Sequence, residues 1–132
     1  MRPYYMRGPR LLSRLLCRIS PRYHLRAICR AIDLTPYAWQ RSFALGRINS
    51  LPGKRQRRNG KTTAVMLRLL MLPPGARREA ERILELDPDF WLGVSAQATA
   101  WYARQYRTLQ IRCILARVPV SDLDTSLFRK YL

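Results

Sequence analysis

The stretch Arg57-Arg58-Asn59-Gly60-Lys61-Thr62-Thr63 holds residue types that can cradle a phosphate. In a loop that opens into a helix, backbone N–H groups surround the phosphate, a lysine reaches its terminal oxygens and a threonine hydroxyl ligates magnesium. Gly60, Lys61 and Thr62 have that spacing, with Asn59 and Thr63 beside them, although Arg55 stands where the pattern GxxxxGK[ST] has its first glycine. Hydrolysis of ATP would further require an apolar strand ending in acids that hold magnesium. After Arg107 the only acids are Asp122 and Asp124, with no convincing apolar strand ahead of them. Three readings follow: an ATP- and magnesium-dependent site, a phosphate-binding remnant that contacts nucleic acid, or a solvated basic loop before a helix capped by Thr62 or Thr63.

A second pattern runs from Ile28 to Arg41 and resembles a helix-turn-helix, with small Cys29 at the close helix contact and Trp39 turned inward. Its second helix would offer Tyr37, Gln40 and Arg41 to a groove, where glutamine can read adenine and arginine can take guanine or phosphate. Asp33 stands where such turns prefer glycine. An ordinary helical hairpin is the competing reading.

Further along, Trp101, Tyr102 and Tyr106 alternate with Arg104, Arg107 and Arg112. Such interleaving can stack unpaired bases while guanidinium groups hold phosphates; a core-facing aromatic stripe with a solvated basic face gives the same pattern. No Ser, His and Asp arrangement and no paired carboxylates suit acid–base chemistry, and Glu79, Glu81 and Glu85 fit a solvated helix face. Cys17, Cys29 and Cys113 are odd in number and widely spaced, which predicts reduced core residues, and the single His24 without clustered ligands predicts no metal site.

RQRRNGKTT resembles the phosphate loop of tailed-phage large terminases, whose ATPase loops carry arginines and few glycines before GKT or GKS. Thr35-Pro36-Tyr37-Ala38-Trp39-Gln40 is similar to their adenine-side segment, and FWLGVSAQATAWYARQY to their second strand and helix. The resemblance spans about residues 34 to 107. It implies that Lys61 contacts phosphate, Thr62 binds magnesium and Gln40 touches the base. The GKTTAVMLRLLM stretch and the WY-rich helix also resemble small proteins among gut-bacterial phage genes, which implies a place in the cytoplasm of a bacterial host.

The charge of the whole chain is +17, from 25 Lys and Arg against 8 Asp and Glu in 132 residues. A balance so self-repelling is tolerated where an anionic partner supplies counter-charge. Residues 1 to 62 carry 15 basic residues and one acid, Asp33; residues 63 to 132 carry 10 and seven. Only Lys54, Lys61 and Lys130 among the basic residues are lysines, and guanidinium groups bind phosphate bidentately where an ammonium does not. The expected activity is therefore non-catalytic binding of DNA or RNA, with Arg55, Arg57, Arg58, Lys61, Arg104 and Arg107 as phosphate contacts. Two alternatives use the same charge differently: a phage-encoded interaction protein that occupies an acidic or RNA-containing host complex such as a defence nuclease, and a degenerate P-loop NTPase.

These residues need a scaffold, and length and composition specify a mainly α-helical single domain. Residues 1–20 form a basic N-terminal arm or helix, and residues 21–132 the helical domain with an exposed basic loop at 49–60. Helical spacing predicts helices over Pro9 to Ile19, Tyr23 to Ile32, Pro36 to Leu45 with Thr35 as cap, Lys61 to Leu72, Ala76 to Leu86 and Ser95 to Ile114. Phe90 to Val94 is short and aromatic enough for one strand. KTTAVMLRLLML is apolar on nearly every face and should lie at the centre of the core, with Val120 to Leu132 as a terminal cap. No stretch reaches the roughly 18 apolar residues of a spanning helix. The acid-free stretch of residues 1–32 resembles an organelle transit peptide or a membrane-surface helix. On a helix from about Pro9 to Ile19, Arg7, Arg10, Arg14 and Arg18 share one stripe while Leu12, Leu15, Leu16 and Ile19 share another, a face for a bilayer, a core or a partner helix.

Overall fold

The computed structural model describes residues 8–51, 60–86, 96–124 and 126–128. Within them the chain forms six α-helices and no strand: α1 Gly8–Ile19, α2 Pro21–Ala31, α3 Ala38–Ala44, α4 Lys61–Leu70, α5 Arg77–Glu85 and α6 Ala96–Leu115. The mainly helical expectation holds. The strand foreseen at 90–94, like residues 52–59 of the basic loop, lies outside the described residues.

Helix α4 is the hub, and its sequence explains why. Ala64, Val65, Met66, Leu67, Leu69 and Leu70 project in every direction around the helix, and all are buried. Helices α2, α3, α5 and α6 pack around it. Burying a large aliphatic side chain contributes roughly 1.5–3 kcal/mol, so this ten-residue segment supplies a major part of the driving force. Phe43, Ile28, Ile83, Leu84 and Tyr106 complete the core from the neighbouring helices.

Backbone stop signals set the helix lengths. Ser20 caps α2 by accepting the Tyr23 N–H at 3.2 Å, with Pro21 at the first helical position, where its missing N–H costs nothing. Helix α3 starts later than the Thr35 cap predicts. The Gln40 side chain turns back and accepts the N–H of Tyr37 at 2.8 Å, so Tyr37 becomes the N-cap. Helices α2, α3 and α6 each end in a Schellman turn, with the left-handed position filled by Asp33 (φ 56), Gly46 (φ 76) and Arg117 (φ 65). The aspartate thus adopts the conformation for which turns select glycine.

The segment after α6 closes the core as expected of a terminal cap. The Ser121 N–H donates to the Leu70 carbonyl at 3.0 Å, which satisfies one of the orphan carbonyls at the end of α4. The Gln110 amide donates to the Ser121 and Leu123 carbonyls, both at 2.9 Å, and the Tyr106 hydroxyl bonds Ser121 Oγ. Leu123, Leu127 and Phe128 are buried beneath, and the Phe128 ring packs against that of Tyr106 with centroids 6.0 Å apart. All three cysteines are free and buried.

Candidate nucleic-acid interface

Helix α2 places Arg22, Arg26 and Arg30 one turn apart on a single stripe. Like charges at that spacing repel, by a few tenths of a kcal/mol per pair, so the stripe gains from an anion. The Schellman turn at Asp33 then reverses the chain, and α3 brings Arg41 to the opposite wall, with Arg47 following the turn at Gly46. These five arginines line a cleft of about 920 Å³ between α2 and α3. Its floor is apolar, made by Leu25, Cys29, Leu34 and Leu45. Among the described residues, no carboxylate lines it.

Asp33 lies in the turn that joins the two walls, and the other described acids lie elsewhere. Among the described residues Glu79 pairs with Arg82 at 2.9 Å, and Glu81 and Asp124 lie 4.0 Å from Arg77, all on α5 or the terminal segment. These paired carboxylates thus gather on α5 and the terminal segment, while the cleft arginines sit within the half of the chain whose only acid is Asp33. One guanidinium nitrogen of Arg41 donates to the Pro36 carbonyl at 2.9 Å, which orients the side chain without neutralising it. Burial pushes the Cys29 thiol up and nearby Arg41 pulls it partly back, so the floor stays uncharged at neutral pH.

Arg68 shows the other use of arginine in this chain. Its guanidinium lies 4.8 Å over the Phe43 ring and donates to the Ile48 carbonyl at 3.3 Å, and burial lowers its proton affinity. It ties the exit of α3 to α4 as a structural residue.

The phosphate-loop residues are only partly within view. Arg55, Arg57, Arg58 and Asn59 lie outside the described residues. Gly60 is the N-cap of α4 at φ 90, and its carbonyl accepts from Gln40 Nε2 at 3.0 Å. Lys61, foreseen as a phosphate contact, opens α4 with its side chain buried, because α4 is packed on every face. The Thr62 hydroxyl, foreseen as a magnesium ligand, bonds the Tyr102 hydroxyl at 3.0 Å, and Thr63 is half-buried.

The groove-reading set divides. Tyr37 is exposed and Arg41 reaches the cleft, but Gln40 is buried with both amide atoms bonded inside the protein, which withdraws it from base reading. Helix α3 packs chiefly on α4, and residues 32–37 connect it to α2, a longer link than the 3–4 residues of a helix-turn-helix. On α6, Arg104 and Arg107 are exposed, and Arg107 donates to Gln110 Oε1 at 2.6 Å. Tyr102 and Tyr106 are core residues and only Trp101 of the aromatic series reaches the surface.

Sequence reasoning missed Arg22, Arg26, Arg30 and Arg47 as members of one site. The signal was present as arginines at i, i+4 and i+8 along a helix whose opposite face is apolar. What sequence could not supply was the reversal that sets α3 across from α2. No known protein family, curated protein or solved structure matches this chain.

Proposed function

We propose that the protein binds the phosphate backbone of DNA or RNA without catalysis, and that the α2–α3 cleft is the principal phosphate site. The observation that carries this reading is the cleft lining, five arginines from three successive segments with no carboxylate among the described residues there. Guanidinium groups on two walls can grip a phosphate from both sides with parallel N–H···O bonds, a geometry that favours phosphate over a diffuse counter-ion cloud. Arg104, Arg107 and the basic loop extend the electrostatic footprint, and the arginine bias between Met1 and Thr62 gives that footprint its sign and strength. In keeping with the phage-like segments, the site of action in this reading is the cytoplasm of a bacterial host.

Titrating a fluorescent oligonucleotide with the protein across a salt series tests the proposal. Affinity should fall linearly on a log–log plot, with a slope of about −0.9 for each duplex phosphate neutralised. The double variant Arg26→Gln, Arg30→Gln should flatten that slope by about two contacts. An isotherm that ignores salt would overturn it.

The apolar floor favours a second reading, in which the cleft seats an acidic segment of a host protein complex. Leu25, Leu34 and Leu45 give hydrophobic contacts that a phosphate backbone does not use. Co-purification of one host protein that survives nuclease treatment and is lost with Leu34→Asn would decide for it.

A further inference from the structure

Six of the eight exposed large hydrophobic side chains among the described residues belong to two places, α1 and the end of α6. On α1, Leu12, Leu15 and Ile19 are 58%, 53% and 68% exposed. They fall on one stripe at i, i+3 and i+7, and Arg14 and Arg18 are exposed on the flank. Helix α1 packs on α2 and buries Cys17, so this apolar stripe is left turned outward. At the end of α6, Ile111, Ile114 and Leu115 are exposed beside Arg112 and Arg117.

The two places share one end of the molecule. His24, in the first turn of α2, bonds the Pro119 carbonyl through Nε2 at 2.5 Å, which brings the α1–α2 junction beside the chain leaving α6. Ile19 precedes that junction and Leu115 precedes that exit.

We propose that this end of the protein docks on an anionic lipid surface, with Leu15, Ile19, Ile114 and Leu115 entering the interface and Arg14, Arg18 and Arg112 meeting the headgroups. Charge complementarity selects the occupant. The stretch from Met1 to Ile32 holds eight arginines and no acid, so a second copy of the chain would oppose like charge to like. An interfacial helix needs an apolar stripe flanked by cations and low overall hydrophobicity, and α1 has all of these. Long arginine stems lie along the apolar boundary while their heads stay in water. The docking end is built from α1 and α6 surfaces distinct from the arginine-lined cleft, and it does not depend on nucleic-acid binding.

Sedimentation with vesicles tests it. The full chain should co-sediment with vesicles of phosphatidylglycerol and phosphatidylethanolamine at 3:7 and stay in solution with pure phosphatidylcholine. Leu15→Gln combined with Ile19→Gln should weaken partitioning at least tenfold while leaving helicity by circular dichroism unchanged, because both side chains are exposed. Ile114→Gln should weaken it several-fold on its own. Failure to sediment with anionic vesicles overturns the proposal. So does sedimentation that is indifferent to the Leu15 and Ile19 substitutions and abolished by salt, since the arginines alone would then account for it. A concentration-dependent dimer that Leu15→Gln dissociates, with no vesicle binding, would assign the surface to a second copy instead.

Discussion

The side-chain amide of Gln40 spans two helix starts: its oxygen accepts the N–H of Tyr37 at 2.8 Å and its nitrogen donates to the carbonyl of Gly60 at 3.0 Å. One buried residue thereby fixes where α3 begins and where α4 begins. The contact requires Gly60. At φ 90 its backbone is left-handed, and a Cβ there would stand 2.2 Å from Gln40 Nε2. The glycine that resembles part of a phosphate loop is thus also held by a packing constraint inside the protein.

Gly60→Ala should therefore destabilise the fold by about 2–4 kcal/mol, the sum of left-handed strain and a displaced buried amide. Gly75 provides the control. It too is left-handed at φ 79, but a Cβ there meets nothing within 4 Å, so Gly75→Ala should cost only the backbone strain of about 1–2 kcal/mol. Urea midpoints of the two variants measure the difference. Equal losses would remove the Gln40 contact from the account of Gly60.

The division of arginines into cleft and paired groups predicts a matching division of phenotypes. Arg26→Gln should weaken oligonucleotide binding and reduce the salt slope by about one, with stability unchanged or slightly improved because a like-charge neighbour is removed. Arg82→Gln, which loses the exposed pair with Glu79 at 2.9 Å, should leave binding untouched and cost at most about 1 kcal/mol. Fluorescence anisotropy and thermal melts on both variants check the contrast. If Arg82→Gln weakens binding as much as Arg26→Gln, general net charge rather than the cleft governs affinity.

Period and punctuation make the helices legible. The apolar residues of 61–72 point to the buried hub, Pro21 and Gly46 mark a start and a stop, and the terminal segment closes the core as its leucines suggest. Interactions that join distant parts are not legible. Gln40 looks like an exposed helix residue until Gly60 comes beside it, and Thr62 like a metal ligand until Tyr102 takes its hydroxyl from the far end of the chain. Lys61 looks solvent-facing because lysines usually are, yet its place at the start of an all-round buried helix draws it in. The cleft is half legible: the α2 stripe can be read from spacing, but the opposing Arg41 and Arg47 depend on the reversal through Asp33.

Acidification should weaken the fold through His24. Burial lowers its proton affinity below the ordinary value of 6.5, only partly opposed by the bond to the Pro119 carbonyl, so the native ring is neutral at pH 7 and donates from Nε2. Below pH 6.5 the unfolded chain takes up a proton that the native chain resists. Stability is then complete above pH 6.5 and falls as the pH drops towards the native value, with a slope of at most about 1.4 kcal/mol per pH unit for one proton. His24 is the only histidine, and most carboxylates titrate lower, so the window between about pH 5 and 7 isolates it. Chemical denaturation of His24→Gln, which keeps a donor for Pro119, should show a flat profile there. A slope retained in that variant would assign the effect to another group.

Asp33 couples stability and binding, and two substitutions separate them. It holds a left-handed conformation at φ 56, which costs an ordinary residue roughly 1–2 kcal/mol. Its charge also sits just past the C-terminus of α2, where the helix dipole disfavours an anion by some 0.3–1 kcal/mol. Asp33→Gly relieves both and should stabilise the protein by about 1 kcal/mol, after allowance for the greater freedom of glycine in the unfolded chain. Asp33→Asn removes only the charge and should gain a few tenths. Binding should respond to charge alone, because Asp33 is the one acid between Met1 and Thr62 and lies in the turn between the two cleft walls. Both variants should therefore bind an oligonucleotide more tightly by the same factor at about 50 mM salt, and the gain should shrink as salt shortens the screening length to a few ångströms. Different binding gains for the two variants would mean that backbone rearrangement at the turn, not charge, sets the width of the cleft.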